Sequence, residues 1–208
     1  MLDGKDADGN PNAADVIVEP AGRDPQSLAA LSALRLTVFR EWPYLYDGDP
    51  AYEERYLRDF LGSEQAALIV AKDGESPVGM ATASPLSAQP DDLLAPLTAA
   101  GIDAASTFYF GESVLLARYR GLGIGGRFFA HREAAARTAG ATQAVFCAVI
   151  RSDADAARAG DIRDLKPFWR SRGYAPLDGL QGTMSWKEHG NDEETPHAMQ
   201  FWHKALVI

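Results

Sequence analysis

A chain of 208 residues with 46% hydrophobic and 24% charged residues suffices for one hydrophobic core, so a single domain is expected. The net charge of −9 argues against nonspecific nucleic-acid binding, which needs a basic surface, and suits either the attraction of a cationic amine or solubility alone. No apolar run approaches the roughly 20 residues of a membrane helix, and the polar start lacks the features of a signal peptide, so we expect no membrane partner and a cytoplasmic location.

The first half of the chain predicts a polar tail followed by strands and helices. Residues 1–14 offer nothing to bury and are predicted to be disordered, which leaves residues 15–208 for the domain. Asp24 and Pro25 are typical of a helix start, and the proline at 43 breaks that helix. The predicted elements are a strand at 16–18, a helix that begins at Pro25, a helix near 50–61, and strands at 66–71 and 77–84.

The second half of the chain predicts a further alternation of strands and helices. The predicted elements are a short helix or loop at 88–100, a strand at 107–116, a helix at 121–139, a strand at 143–150, a short helix at 164–172, and strands at 182–187 and 198–206. This order of elements predicts an α/β protein with one mixed sheet and helices on its faces.

Cysteine and histidine positions argue against a disulfide or a metal site. Cys147 is the only cysteine and lies in the apolar segment 144–149, so it is expected to be a small buried hydrophobe and not a nucleophile. The four histidines show no spacing typical of metal ligands, and no metal is predicted.

A glycine-rich turn is the strongest functional signal in the sequence. The stretch from 120 to 126 reads Arg-Gly-Leu-Gly-Ile-Gly-Gly and lies between a predicted strand and a predicted helix. Glycines let a ligand approach the backbone closely, and the start of a helix offers free N–H groups and a partial positive charge. The turn therefore predicts a site for a phosphate or a pyrophosphate.

Two nucleotide-binding interpretations of this turn fit poorly. A Walker loop ends in Gly-Lys-Ser/Thr, whereas Gly126 is followed by Arg127 and Phe128. A dinucleotide fingerprint matches literally at Gly121, Gly123 and Gly126, but residues 141–150 supply no acidic residue for the ribose. A nicotinamide-dependent oxidoreductase and a glycine turn without a ligand remain as alternatives.

The turn also resembles the signature of a known superfamily. Arg120-x-x-Gly123-x-Gly125 is similar to the Arg/Gln-x-x-Gly-x-Gly/Ala motif of the GCN5-related N-acetyltransferases (GNAT), and residues 164–174 resemble a later helix of that family. With the order of elements, the resemblance spans roughly residues 15–207. It implies the acyl-CoA N-acyltransferase fold, a single mixed and mostly antiparallel sheet with helices on both faces.

The resemblance implies where acetyl-coenzyme A would bind. The backbone of residues 120–126 would hold the pyrophosphate, and the pantetheine arm would pair with the end of the preceding strand. The implied coenzyme-binding residues are Leu115, Leu116, Arg120, Gly121, Leu122, Gly123, Ile124, Gly125, Gly126 and Phe168.

The resemblance also implies direct transfer of the acetyl group to an amine, for which a carboxylate base is useful. Glu112 on the predicted strand 107–116 is the candidate, with a merely structural carboxylate as the alternative. The family's usual tyrosine, which protonates the leaving thiolate, is replaced by Trp169, and Tyr174 or water is the substitute donor. The family's common asparagine is also absent, and residues 151–163 form a longer loop than usual.

The acceptor is expected to contact the connection between the first two helices. Tyr44, Tyr46 and Asp47 combine aromatic rings with a carboxylate, which suits an organic cation, although the same residues could pack as core. We therefore predict an acetyl-CoA-dependent N-acetyltransferase acting on an amine of a small molecule or a protein. A non-catalytic acyl-CoA sensor on the same fold is the alternative, and a homodimer is left open.

Overall fold

Strands and helices alternate along the chain, and the computed structural model describes residues 11–22, 25–60, 62–152, 155 and 164–207. The strands are β1 (Val16–Pro20), β2 (Ala67–Asp73), β3 (Ser76–Pro85), β4 (Thr107–Leu115), β5 (Gln143–Val149), β6 (Ala175–Lys187) and β7 (Glu194–Ala205). The helices are α1 (Pro25–Phe39), α2 (Pro50–Phe60), α3 (Asp91–Ala99), α4 (Ile124–Thr138) and α5 (Lys166–Ser171). No helix of the described residues is long and apolar enough to cross a membrane.

The seven strands form one sheet in the order β1-β2-β3-β4-β5-β7-β6. Every pair of neighbours is antiparallel except β4 and β5, which are parallel. Parallel neighbours need a crossover connection, and α4 supplies it. The predicted fold class, a mixed and mostly antiparallel sheet with helices, is confirmed.

Helices cover both faces of the sheet because the strand side chains alternate between them. On β2, Leu68 and Val70 pack with leucines of α1 and α2, whereas Ile69 and Ala71 pack with Ile124 of α4. A further aromatic cluster lies between α4, β4 and β5. The centre of the sheet, where β4 and β5 meet, thus lies between the two layers of helices.

β4 and β5 pair only at their beginnings and then separate. Their register covers Thr107–Tyr109 against Gln143–Val145, and no pairing joins the two strands in the described residues beyond it. On the other edge of β4, the register with β3 shifts so that Gly111 and Glu112 both lie opposite Thr82. This bulge bends β4 at the point where it leaves β5, and the unpaired backbone groups of both strands border a split in the sheet.

Several boundaries differ from the sequence prediction. α4 begins at Ile124 and not at 121, because Gly121 and Gly123 have φ of 84° and 75°, which a helix does not allow. β6 begins at Ala175 and not at 182. Its first part has a turn-like sequence and contains a register shift between Pro176 and Gln181, so the sequence did not predict a strand there. The uncertain segment 88–100 contains helix α3.

The predicted N-terminal tail is described only in part. Asp24 and residues 1–10 lie outside the described residues. At 11–14 the chain makes a turn, in which the N–H of Asp15 donates to the carbonyl of Asn12 at 3.1 Å. Arg127 of α4 donates to the carbonyls of Val16 and Ala13 at 2.6 and 3.5 Å and fastens this segment to the domain.

Candidate functional site

The glycine-rich turn forms an open cradle at the N-terminus of α4. Gly121 and Gly123 have positive φ, and a Cβ built on either residue would meet no atom within 4 Å. Gly123 caps the helix and its carbonyl accepts from the N–H groups of Gly126 and Arg127, which leaves those of Ile124 and Gly125 without a partner inside the helix. Ile124 is 1% exposed, so its side chain anchors the turn to the core and leaves only its backbone for a ligand. These features fit an anionic group such as a pyrophosphate.

Arg120 holds the turn in place. Its Nε donates to the carbonyl of Leu115 at 3.2 Å, and its Nη2 donates to Glu41 at 2.6 Å. The side chain thus ties the turn to the end of β4 and to the connection between α1 and α2. Leu116 donates its N–H to Val78 at 3.0 Å, and this bond fixes the chain just beyond β4.

Helix α5 lies against the start of α4. A Cβ built on Gly125 would lie 3.5 Å from the ring of Phe168, and one built on Gly126 would clash with the guanidinium of Arg172. Arg172 stacks over Phe168 at 5.3 Å, and its Nε is buried without a hydrogen-bond partner. No carboxylate of the described residues pairs with this guanidinium, which faces the positive end of a helix dipole.

An anion between Arg172 and the turn would satisfy both positive groups. The sequence analysis missed this arginine. It directly follows the last residue of α5 and lies four positions after Phe168, so both side chains lie on one side of the helix.

A buried charge cluster lies on the other face of the sheet. Arg35 of α1 donates from Nε to Glu53 of α2 at 2.5 Å and pairs through Nη1 with Glu112 of β4. The side chains of the three residues are 8%, 1% and 7% exposed. The bulge in β4 directs Glu112 toward these helices, so a predicted candidate joins two residues that the sequence analysis did not single out.

Two tyrosines complete the cluster. Tyr56 donates to the second carboxylate oxygen of Glu112 at 3.2 Å, and Tyr46 donates to Glu53 at 2.9 Å. Burial, and then the charge of Glu112, raise the pKa of Tyr56, so it stays protonated and remains a donor. Burial alone would lower the pKa of Arg35, but Glu112 and Glu53 together raise it and keep the guanidinium charged. Within the cluster two carboxylates share one guanidinium, while Arg132 of α4, which packs over Phe110 and Phe129, is a second buried cation on which the charge of Glu112 acts.

The cluster borders a cavity of about 670 Å³. Residues of α1, α2, α3 and the strands β4 to β7 line it, and Glu112 of β4 and Cys147 of β5 do so beyond the paired part of those strands. The cavity therefore reaches the split in the sheet. The predicted acceptor residues Tyr44, Tyr46 and Asp47 all line this cavity together with Glu112.

The connection between α1 and α2 is fastened to β6. Trp186 donates from its indole nitrogen to the carbonyl of Tyr44 at 2.9 Å. Lys187 binds Asp47 at 2.8 Å, and this hydrogen bond lowers the pKa of Asp47. Asp47 is thus an ionised wall residue with a cation of its own. The predicted loop at 151–163 lies mostly outside the described residues, but Arg151 donates to the carbonyl of Pro43 at 2.7 Å and also supports this connection.

Cys147 differs from its predicted position. It packs against the buried cluster that contains Tyr109 and Phe201, as a hydrophobe would, but it is only partly buried and also lines the cavity. The hydroxyl of Tyr109 lies 3.2 Å from its sulfur, and burial raises the pKa of the thiol to about 11. At neutral pH roughly one thiol in ten thousand would be ionised, which makes Cys147 a poor nucleophile.

Tyr174, the predicted substitute donor, lies in the core just after α5. It is 2% exposed and belongs to the aromatic core beside α4. Its hydroxyl donates to Glu133 at 3.2 Å, and burial, followed by the charge of Glu133, raises its pKa. This environment favours a packing role. Trp169 is also a packing residue, with ring centroids 5.1 Å from Phe146 and 5.0 Å from Trp202.

Comparisons with known proteins identify the family of the chain. The model of the acetyltransferase (GNAT) family matches residues 34–159. No curated protein matches the chain in sequence.

Solved structures match it in fold. A ribosomal-protein-alanine N-acetyltransferase from Brucella melitensis is similar at a TM-score of 0.58, with 16% identity, 91% of this chain covered and 99% of that one. YncA from Salmonella typhimurium, solved with its cofactor acetyl-CoA, has a TM-score of 0.55 and 14% identity, covering 93% and 95% of the two chains. An aminoglycoside 6'-N-acetyltransferase complexed with coenzyme A has a TM-score of 0.57 and 17% identity, covering 92% and 98%.

Proposed function

The chain belongs to the acetyltransferase (GNAT) family, and on this premise we propose that it is an acetyl-CoA-dependent N-acetyltransferase that acts directly on an amine. One observation carries the proposal. An open glycine cradle lies at one end of a split between β4 and β5, and an acidic, aromatic cavity borders that split from the other face. A donor and an acceptor could thus meet through the sheet.

The residues on the donor side would bind and orient the coenzyme. The backbone of residues 120–126 and the side chain of Arg172 would hold the pyrophosphate, and Phe168 would pack beside it. The unpaired edge of β4 up to Leu115 would bond the pantetheine arm as a further strand would. Bound acetyl-CoA would supply a thioester as the acetyl donor.

Glu112 is the proposed base on the acceptor side. An alkylammonium with a pKa near 10.4 is almost fully protonated at pH 7, and only the neutral amine attacks a thioester. One carboxylate oxygen of Glu112 forms the ion pair with Arg35 and the other accepts a hydrogen bond from Tyr56, and each has a lone pair left for the proton of the amine or of a bridging water. Tyr44, Tyr46 and Asp47 would surround the acceptor in the same cavity.

The pH dependence of a Glu112→Gln variant tests this proposal. The change keeps the shape and removes the charge, so we expect turnover at pH 7 to fall by a factor of about 100 to 10,000. Part of the loss should be recovered at high pH, where free amine is abundant. Affinity for acetyl-CoA, measured by titration calorimetry, should stay the same because the cradle lies across the sheet. Unchanged turnover over the whole pH range, with the variant folded, would remove Glu112 from the mechanism.

One observation favours a second candidate, an acyl-CoA sensor without turnover. Trp169 has no acidic hydrogen for a leaving thiolate, and Tyr174 is engaged in the core. A thiolate with a parent pKa near 8.5 is nevertheless a fair leaving group that water can protonate. Steady-state release of coenzyme A with a panel of amines separates the two, since a sensor would bind acetyl-CoA and release none.

A further inference from the structure

We propose that the acceptor is a small molecule with at least two ammonium groups, one bound beside Glu112 and Glu53 and another at the acidic rim of the cavity. The inference rests on the proposed function where it names the reacting ammonium group. The binding of a cationic ligand in the cavity does not depend on that function, because binding can be measured without any reaction.

The inner position follows from the buried charge cluster. Among the described residues, Arg35 is the cation that forms ion pairs with both Glu53 and Glu112, and all three side chains are less than 10% exposed. Hydroxyls of Tyr46 and Tyr56 donate to the carboxylates but do not neutralise them. The other buried cation on which Glu112 acts, Arg132, belongs to α4 and packs over Phe110 and Phe129. Two buried carboxylates that share one paired guanidinium would be stabilised by a further cation in the cavity. Because Glu112 borders the split, an ammonium bound there would be the one that reacts.

The rim position follows from unpaired carboxylates around the same cavity. Among the described residues, no basic side chain forms an ion pair with the exposed rim acids, which are Asp49, Asp92, Asp192 and Glu194. Asp47, by contrast, has Lys187 at 2.8 Å. Over the described lining of the cavity, seven carboxylates face only two cations, Arg35 and Lys187.

Aromatic rings in the wall of the cavity suit the same ligand. Tyr44, Tyr46, Tyr52, Tyr56 and Trp186 line the cavity. Arg35 lies over the ring of Tyr56 at 4.4 Å and Arg55 over that of Tyr52 at 5.6 Å, and His197 stacks on Trp186, so Tyr44 and Tyr46 are the rings proposed to contact an organic cation. A cavity of about 670 Å³ is of the size that takes a small molecule. An amine that carries a carboxylate would meet repulsion, whereas a second ammonium would meet the rim acids.

Three four-carbon amines that differ only at the far end test the inference. Butylamine ends in a methyl group, 1,4-diaminobutane in an ammonium and 4-aminobutanoate in a carboxylate. We expect kcat/KM for the diamine to exceed that for butylamine by a factor of about ten or more. The amino acid should have the lowest kcat/KM of the three. Spermidine and kanamycin, added as further arms, distinguish a linear polyamine from an aminosugar as the source of the ammonium groups. Equal kcat/KM for the three matched amines would overturn the inference.

A double variant locates the effect at the rim. Asp92→Asn with Glu194→Gln removes two rim charges, and the amide oxygen introduced at position 92 can still accept the bond from the N–H of Leu93 that Asp92 accepts at 2.9 Å. The preference for 1,4-diaminobutane over butylamine should shrink several-fold in this variant. It should keep its wild-type value in Glu75→Gln, which changes an exposed charge in the β2–β3 turn away from the cavity. An unchanged preference in the double variant would contradict the rim position.

Calorimetry with spermidine separates this inference from the proposed reaction. Binding that weakens in the double variant, without release of coenzyme A from acetyl-CoA, would support the cationic ligand and defeat the N-acetyltransferase. Acetylation of butylamine and 1,4-diaminobutane at equal rates would support the N-acetyltransferase and defeat the inference of a second ammonium group. Absence of binding by 1,4-diaminobutane, spermidine and kanamycin alike would overturn the inference whatever the activity.

Discussion

At the scale of residues, the two ends of α4 provide a matched pair of glycines. Gly123 and Gly140 have φ of 75° and 80°, and a Cβ on either would meet no atom within 4 Å. A valine should therefore strain both positions alike, by about 1 to 2 kcal/mol. Only Gly123 faces the proposed pyrophosphate.

We expect Gly123→Val to lose at least about tenfold in affinity for acetyl-CoA, or about 1.4 kcal/mol, and Gly140→Val to bind as the wild type does. Titration calorimetry and thermal melting of both variants measure the effect. Equal affinities in the two variants would show that the turn does not hold the coenzyme.

Tyr174 gives a second prediction at this scale. Tyr174→Phe removes one donor from Glu133, which keeps Lys204 at 2.7 Å and Arg137 at 3.1 Å. The expected loss is about 1 kcal/mol in the free energy of unfolding, with turnover per folded molecule unchanged. A fall in turnover by about 100-fold would instead make Tyr174 the proton donor.

Cys147 gives a third. Its thiol has a pKa of about 11, so it is protonated at neutral pH and an acyl-cysteine intermediate is not expected. Cys147→Ala should keep its activity, and intact-mass measurement after mixing wild type with acetyl-CoA should show no added acetyl group. An acetylated Cys147 that passes its group to an amine would contradict direct transfer.

At the scale of elements, α5 is proposed to contribute to coenzyme binding because it positions Arg172 against the first turn of α4. Arg172→Met removes a charge that faces the N-terminus of α4, and Arg170→Met removes one that lies on the same helix over Trp202, 5.7 Å from the ring. We expect only the Arg172 variant to weaken acetyl-CoA binding, by a factor of about ten or more. The wild-type affinity should also fall more steeply with salt than that of the Arg172 variant. Equal affinity in the two variants would leave Arg172 a packing residue.

The bounds of elements with a strong local sequence pattern were predicted well. The bounds of strands that form only because they pair with a neighbouring strand were not. The glycine turn and α4 follow from their own residues, so only the start of the helix differed. The first part of β6 contains Pro176, Asp178 and Gly179, which are typical of a turn, and only pairing with β7 makes it a strand. The position of Tyr174 could not be predicted either, because a tyrosine just after a helix can face the core or a ligand. Here it faces the core, where its hydroxyl donates to Glu133, a residue far away in the sequence.

At the scale of the whole molecule, the candidate site depends on contacts that no local pattern reports. Arg35, Glu53 and Glu112 come from α1, α2 and β4, and the sheet topology and the bulge bring them together. Glu112 was singled out because a family resemblance marked its strand, whereas Arg35 and Glu53 carried no signal. Residues 15–208 remain the proposed extent of the acetyltransferase domain.

The most direct test of the central claim follows donor and acceptor in one reaction. The full chain is mixed with acetyl-CoA and 1,4-diaminobutane, and free coenzyme A and acetylated diamine are both quantified by mass spectrometry over time. The account predicts that the two products rise together at many turnovers per enzyme, with acetyl-CoA binding at micromolar level or better, about −8 kcal/mol. Failure to bind any acyl-CoA, or binding without either product for every amine tried, would contradict it.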